Sequence, residues 1–111
     1  MYSKIDRGKL EEKLANDDVK LIEVLDPEQY RDKHIAGAIN IPLSDIGKEA
    51  TQRFDTDQEI VVYCADSNCQ ASPKAAEKLD ELGFEDVYDY AGGKKDWEQA
   101  GKPLEGKKAP E

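Results

Sequence analysis

Apolar residues recur along the chain in two patterns, one typical of helices and one typical of buried strands. Leu10 and Leu14 lie four residues apart among charged residues, which predicts an amphipathic helix. Short unbroken apolar runs predict strands that are covered on both faces. The patterns predict a helix over Arg7–Asn16, a strand in Val19–Leu25, a short helix after Asp26, an extended piece over Ala38–Pro42, a helix from Ser44 to Thr51, a strand over Ile60–Tyr63, a helix after Ser72, a strand over Val87–Tyr90 and a helix from Gly92 to Ala100.

Cap and turn residues indicate where these elements begin and end. Asp26 and Ser72 are each followed by proline, a combination common at helix starts, and Gly83 follows the helix that Ser72 would cap. Helices alternating with strands predict an α/β fold with a mainly parallel central sheet of about five strands and helices on both faces. We assign one domain to residues 1–105 and expect 106–111 to form a flexible C-terminal tail.

The charge balance narrows the range of partners. The chain has 25 acidic and 16 basic residues and a net charge of -9. Because such a field repels phosphates and anionic lipids, we expect neither nucleic-acid binding nor membrane binding. The N-terminus lacks the apolar region of a secretory signal, which favours a cytoplasmic protein. One histidine and two cysteines are too few for a structural zinc site. We expect no metal, no cofactor and a monomer.

Cys64 directly follows Ile60–Tyr63, the clearest strand signal in the chain, and a loop then leads to a helix. In open parallel sheets, ligands bind at the carboxyl ends of strands, beside the N-termini of the following helices. Backbone N–H groups and the helix dipole stabilise an anion there, and the thiolate anion is the reactive form of cysteine. The position therefore predicts a nucleophile, and a buried structural cysteine is the alternative that the pattern leaves open.

Three blocks of sequence make the chain resemble the rhodanese-like domain family. They are Leu21–Tyr30 with His34–Pro42, then Ile60–Cys64, then Gly83–Tyr88 with Ala91–Trp97 and Ala100–Leu104. The blocks follow one another at the usual spacings and cover nearly the whole chain. The resemblance implies a rhodanese-like α/β fold and a sulfurtransferase in which Cys64 carries a persulfide. It also implies that His34 is mainly structural.

The resemblance further implies how the site works. The Cys64 thiolate would take sulfane sulfur from a small donor or a protein persulfide and pass it to an acceptor thiol, with loop amides surrounding the terminal sulfur. The site residues are then the catalytic cysteines Cys64 and Cys69 and the substrate-binding loop residues Ala65, Asp66, Ser67, Asn68, Gln70, Ala71 and Ser72.

The loop departs from the family pattern in its length and its charge. It is longer than usual, and it lacks the basic residue that commonly stands near its end. Gln70 takes that place, and Lys74 is the first basic residue after Cys64. Asp66 is the one charged loop residue, and a nearby carboxylate raises the pKa of a thiol. We therefore expect poor use of thiosulfate, a dianion, and better use of uncharged or protein-bound persulfides.

Cys69 is the second departure, and the Cys-x4-Cys spacing is similar to that of a subset of rhodanese-like domains. Cys69 could attack a persulfide on Cys64, or resolve a sulfenic acid or mixed disulfide there. Three hypotheses stay open: a sulfurtransferase or sulfur carrier assisted by Cys69, a non-catalytic redox, sulfur-sensing or interaction module with a Cys64–Cys69 switch, and a structural homologue with inert cysteines.

Overall fold

The computed structural model describes residues 1–16 and 18–109. The helices are α1 (Arg7–Asn16), α2 (Pro27–Asp32), α3 (Ile46–Arg53), α4 (Ala71–Glu81) and α5 (Gly93–Gln99), and a 3-10 turn covers Leu43–Asp45. The strands are β1 (Ser3–Ile5), β2 (Val19–Glu23), β3 (His34–Ile35), β4 (Ile39–Asn40), β5 (Glu59–Tyr63), β6 (Val87–Tyr90) and β7 (Leu104–Glu105).

Five of these strands form one parallel sheet in the order β1-β6-β5-β2-β4. This arrangement confirms the predicted α/β fold with a parallel central sheet. β5 lies in the middle of the sheet, and β3 pairs with β7 in a separate antiparallel ribbon. The residue that follows β5 is therefore held by strands on both sides.

Alternating side chains of β5 divide the core into two layers. Ile60 and Val62 point to one face, where they pack with residues of α3 and α4 such as Ala50 and Leu79. Val61 and Tyr63 point to the other face, where Leu10 of α1 and Trp97 of α5 pack. Because both faces are covered, β5 is apolar without a break from its second residue onward, which is why it gave the strongest strand signal.

Several element boundaries differ from the prediction. The helix expected from Ser44 starts as the 3-10 turn and becomes α3 only at Ile46. The prediction of Ser72 as an N-cap is wrong, because α4 begins one residue earlier, at Ala71, and Gln70 is its N-cap. Ser72 instead turns its hydroxyl into the core. β1, β3 and β7 were not predicted; each has only two or three residues and too little periodicity to be recognised.

The described part of the expected C-terminal tail is attached to α2. The amides of Lys107 and Lys108 donate to the carbonyl oxygens of Arg31 and Asp32 at 2.9 and 2.7 Å. These bonds satisfy carbonyls that a helix end leaves without a partner in the helix. These bonds reach as far as Lys108, the flexibility expected of residues 106–111 stays a prediction, and residues 110–111 lie outside the described residues.

Candidate functional site

Cys64 lies at the carboxyl end of the central strand, as the sequence predicts. It follows β5 directly, and its side chain is only 1% exposed. The core layer that contains it includes Val24, directly after β2, and Ala75 in α4. The sulfur thus lies between the sheet and the start of α4, shielded from solvent.

A disulfide joins Cys64 to Cys69, and their Cα atoms are 6.3 Å apart. Asp66 shapes the turn that brings Cys69 back to Cys64. Its carboxylate accepts a hydrogen bond from the amide of Asn68 at 3.0 Å, and its carbonyl accepts one from the amide of Cys69 at 3.2 Å. Aspartate commonly stabilises turns in this way. Asp66 therefore has a structural role in closing the loop, in addition to placing a charge near the sulfur.

The Ser72 hydroxyl lies 3.5 Å from the Cys64 sulfur. A disulfide sulfur carries no hydrogen, so the hydroxyl is the donor of this contact. The described hydrogen bonds include none from a loop amide to this sulfur, and the Asn68 and Cys69 amides are directed to Asp66. In the disulfide form the expected ring of amides around the sulfur is not formed, and for a persulfide on Cys64 it stays a prediction.

The start of α5 holds the first residues of the loop. The amides of Lys94 and Lys95 donate to the carbonyl oxygens of Cys64 and Ala65, each at 2.9 Å. Gly93 makes this contact possible. Its φ is 68°, and a β-carbon there would lie 2.7 Å from the Cys64 carbonyl oxygen. Only glycine combines this backbone conformation with so close an approach.

A buried ionic network lies on the opposite face of the sheet from the Cys64 sulfur. Glu23, at the end of β2, is fully buried, and its Oε1 lies 3.0 Å from Nζ of Lys94 and accepts a hydrogen bond from the Tyr63 hydroxyl at 2.9 Å. The Tyr63 hydroxyl in turn accepts from the amide of Ile35. Burial, and then the negative charge of Glu23, raise the pKa of Tyr63. The network ties β2, β5 and α5 together next to the site.

An open cavity of about 310 Å³ lies beside the loop. Asp66, Ser67 and Asn68 form one wall, and Lys95 and Asp96 of α5 belong to the other. Cys64 does not line this cavity. A reactant in it would meet the loop first, and the loop must move before the reactant can contact the Cys64 sulfur.

The remaining predicted loop residues are distributed along the loop and the first turn of α4. Ala65 follows Cys64 and is held by α5, Gln70 is the N-cap of α4, and Ala71 is its first residue. His34 stacks on the Tyr30 ring, with centroids 3.8 Å apart, and its Nδ1 lies 2.7 Å from the Tyr30 carbonyl oxygen. These contacts fit a structural histidine.

Sequence reasoning missed the groups that surround the loop. Asp89 of β6 is 1% exposed and lies next to Ser72, and Lys95 supplies a cation near a loop that has none of its own. The Gly92-Gly93 pair after β6 was a signal for close backbone approach. Nothing in the sequence indicated that β6 pairs with β5 and so places Asp89 behind Cys64.

The described residues contain no group of three or more His, Cys, Asp or Glu side chains placed to hold a metal ion. In the same part of the chain, no helix has the length and apolar character needed to cross a membrane.

Comparison with known proteins confirms the resemblance seen in the sequence. A family model described as a rhodanese-like domain matches residues 6–100. The chain is 37% identical over 78 residues to the uncharacterized protein YqhL of Bacillus subtilis, matching 70% of this chain and 60% of that protein's length. It is 42% identical over 76 residues to the thiosulfate sulfurtransferase PspE of Escherichia coli, covering 68% and 70% of the two chains.

Two further matches extend over most of the chain. The thiosulfate sulfurtransferase GlpE of Coxiella burnetii is 29% identical over 97 residues, covering 87% of this chain and 88% of that protein. The crystal structure of the BH2092 protein from Bacillus halodurans superposes with a TM-score of 0.88 at 29% identity, covering 96% of this chain and 79% of that one.

Proposed function

Because the chain belongs to the rhodanese-like domain family, we propose that it is a sulfurtransferase or sulfur carrier that forms a persulfide on Cys64. The observation that carries this proposal is the position of Cys64, at the end of the central strand and beside the first turn of α4. The names of the relatives PspE and GlpE, both thiosulfate sulfurtransferases, support sulfur transfer as the class of reaction.

The proposed reaction has two steps, and both use the reduced protein. The Cys64 thiolate attacks the outer sulfur of a persulfide donor, a bond forms between these two sulfurs, and the donor leaves as a thiolate with the electron pair of its S–S bond. The thiolate of an acceptor then attacks the outer sulfur of the Cys64 persulfide. Cys64 leaves as a thiolate, and the acceptor carries the sulfur away. Covalent catalysis of this kind replaces one difficult transfer with two easier ones.

Cys69 supplies a second route for releasing the sulfur. Its thiolate attacks the inner sulfur of the Cys64 persulfide, the Cys64–Cys69 disulfide forms, and the outer sulfur leaves as hydrosulfide. The Cys64–Cys69 disulfide of the structure is the bond that this step would form, and it supports the route because it shows that the two sulfurs can come within bonding distance. An external thiol must then reduce the disulfide before another cycle. In this route, the structure with the disulfide closed and Cys64 buried is the oxidised protein before reduction.

The charges around the loop favour persulfide donors over thiosulfate. From Ala65 to Pro73 the loop carries Asp66 and no basic residue, and the cation nearest along its cavity wall is Lys95 of α5. The single positive charge of Lys95 is offset by the carboxylates of Asp66 and Asp96, so the cavity lacks the positive charge needed to bind a free dianion such as thiosulfate. An uncharged or protein-bound persulfide carries its sulfur with less negative charge, so it is the better donor class.

The disulfide also supports a second candidate function. A redox or sulfur-sensing module would use the Cys64–Cys69 pair as a switch without turning over a sulfur donor. In such a protein the loop conformation, and not the transferred sulfur, would be the output.

Kinetic assays on reduced protein separate the two functions. Sulfur transfer from the persulfide of an otherwise uncharged small thiol and from thiosulfate to an acceptor thiol is measured for the wild type, Cys64→Ser and Cys69→Ser. We expect turnover with the persulfide, weak turnover with thiosulfate, and none in Cys64→Ser. We expect Cys69→Ser to transfer sulfur to added thiol but to release no sulfide without it. A wild type that cycles its disulfide without turnover would support the module instead.

A further inference from the structure

Asp89 is a buried carboxyl group that the sulfur-transfer scheme does not use. It is 1% exposed, and neither of its oxygens meets hydrogen-bond geometry with a partner in the described part of the chain. In the β5–β6 pairing it lies opposite Val62, two residues before Cys64. Val87, two residues before Asp89, packs in the same core layer as Val62 and Cys64, so strand alternation places Asp89 on that face as well.

Ser72 belongs to α4, which packs over β5 and β6 on the face of the sheet that carries both the Asp89 carboxyl and the reactive sulfur. It is 3% exposed, its hydroxyl is 3.5 Å from the Cys64 sulfur, and it is close enough to Asp89 to influence that group's titration. Ser72 is the second residue of α4, two positions after the N-cap residue Gln70. A serine hydroxyl can accept and donate a proton at once, so it can connect an acid to a sulfur that the acid does not touch.

Few charges face Asp89 from the surrounding elements. From β1, Lys4 lies opposite it in register, and Tyr2 packs against the same core layer. From β5 the facing residue is Val62, and from α4 it is Ser72. Burial raises the pKa of Asp89, while the Ser72 hydroxyl and the charge of Lys4 oppose that rise. The carboxyl therefore keeps its proton to a higher pH than an ordinary aspartate does.

We propose that Asp89, acting through the Ser72 hydroxyl, supplies the proton that the Cys64 sulfur takes up when the Cys64–Cys69 disulfide is reduced. Ser72 contacts the reacting sulfur, and Asp89 is the positioning residue behind it. The proposal goes beyond sulfur transfer, since it concerns the proton of Cys64 and not the sulfur donor.

A small thiol is the reductant in this step. The thiolate of this reductant attacks the sulfur of Cys69, which is more exposed than Cys64, and the S–S bond breaks with its electron pair going to Cys64. Ser72 gives its hydroxyl proton to the Cys64 sulfur and takes the proton of Asp89. Cys64 is then a thiol, Asp89 a carboxylate, and Cys69 a mixed disulfide. A second reductant thiolate releases Cys69 and leaves as the oxidised reductant.

The chemical reason for such a donor is the burial of the leaving sulfur. A thiolate that forms in an apolar layer, away from water, is costly unless it is protonated or paired. A proton delivered as the bond breaks removes that cost. The reverse transfer, from the Cys64 thiol to the Asp89 carboxylate, produces the thiolate that attacks a donor.

The test measures the rate at which dithiothreitol reduces the full-length oxidised protein across a range of pH. Rates are divided by the thiolate fraction of the reductant, so that only the protein's own titration remains. We expect the corrected wild-type rate to fall as Asp89 loses its proton. We expect Asp89→Asn and Ser72→Ala to be slower at low pH, on the order of a hundredfold, and nearly independent of pH. The double variant should be no slower than either.

Two controls separate a proton path from a structural role. Asp86→Asn makes the same substitution directly before the first residue of β6, whereas Asp89 lies near the last. This variant should keep the wild-type pH profile. Ser72→Thr retains a hydroxyl and should restore the profile that Ser72→Ala loses. If Asp89→Asn does not fold, the two Ser72 variants carry the same comparison. No sulfur donor is present, so the assay is independent of whether the protein transfers sulfur.

Two outcomes would overturn the proposal. One is a wild-type pH profile in Ser72→Ala or in Asp89→Asn. The other is a rate lowered by the same factor at every pH, which is the signature of a loop that is merely displaced.

Discussion

Gly93 shows how one residue without a side chain fixes the position of a reactive one. Its positive φ and its contact with the Cys64 carbonyl allow the start of α5 to lie against the loop. An added β-carbon would lie 2.7 Å from that oxygen and 2.8 Å from the Asp66 amide nitrogen. Both of these are backbone atoms, which cannot rotate away, so the loop itself would have to shift.

We predict that Gly93→Ala lowers the free energy of unfolding by about 2 kcal/mol more than Gly83→Ala does. Gly83 also has a positive φ, but nothing lies within 4 Å of the β-carbon it would gain, so it reports the backbone strain alone. Urea unfolding of the two variants gives the difference. Equal losses would show that the contact with the Cys64 loop contributes nothing.

At the scale of elements, the Glu23–Lys94 pair links β2 to α5 in the interior. Lys94 also donates to the carbonyl oxygen of Lys33, so its ammonium group has partners from two segments. Glu23 Oε2 has no hydrogen-bond partner among the described residues. Loss of Lys94 would leave a fully buried carboxylate with the Tyr63 hydroxyl as its remaining partner.

We predict that Lys94→Met destabilises the protein by about 3–5 kcal/mol, the usual cost of breaking a buried ion pair from one side. Lys33→Met is the matched control. Lys33 pairs with Glu98 at 2.7 Å, but both side chains are about one-third exposed, so the loss should stay below about 1 kcal/mol. Denaturant unfolding of both variants measures the contrast. A loss in Lys94→Met as small as the control's would show that the Glu23–Lys94 pair contributes no more than an exposed ion pair.

The buried Asp89 predicts how stability depends on pH. Its pKa is raised in the folded state, so the folded protein holds a proton that the unfolded chain releases first. The contribution of Asp89 to stability must therefore fall as pH rises from the unfolded pKa, about 3.9, through the folded value, and stay lowered above it.

Asp89→Asn removes this dependence, so its stability relative to the wild type should increase from acidic to neutral pH. Asp86→Asn, directly before the first residue of β6, is the control. Its free energy of unfolding should change with pH in parallel with that of the wild type. Urea unfolding of the oxidised proteins at several pH values measures both differences. A constant difference between Asp89→Asn and the wild type would show that Asp89 titrates alike in both states.

Much of this organisation was predictable from local patterns, because the elements that place Cys64 are strongly marked. Three local signals mark them: the apolar run of β5, Cys64 directly after that strand, and Gly83 after α4. The N-cap assignment at Ser72 failed because serine before proline is a common helix start, whereas here the hydroxyl faces the sulfur. Asp89 was missed because its importance depends on strand order, which no local pattern contains.

At the scale of the whole molecule, the disulfide closes a short loop on the surface of an otherwise complete core. The strands of the sheet and most residues of both core layers lie outside the short loop that the S–S bond closes. Loop closure over so few residues contributes about 2 kcal/mol in the chain-entropy estimate.

We therefore predict that reduction lowers the free energy of unfolding by about 2 kcal/mol and leaves the far-ultraviolet circular dichroism unchanged. Cys69→Ser, which cannot form the bond, should show no effect of reductant. Collapse of the fold on reduction would mean that the disulfide is structural, and the loop could not then open for transfer.

The residue that carries sulfur is identified by the intact mass of reduced protein after brief exposure to a persulfide donor, with excess donor removed. Cys69→Ser is the informative variant, because it cannot release the sulfur internally. We expect it to gain the mass of one sulfur atom, which cyanide then removes, while Cys64→Ser gains nothing under the same treatment. An added sulfur on Cys64→Ser, or none on Cys69→Ser, would contradict the assignment of Cys64 as the residue that carries sulfur.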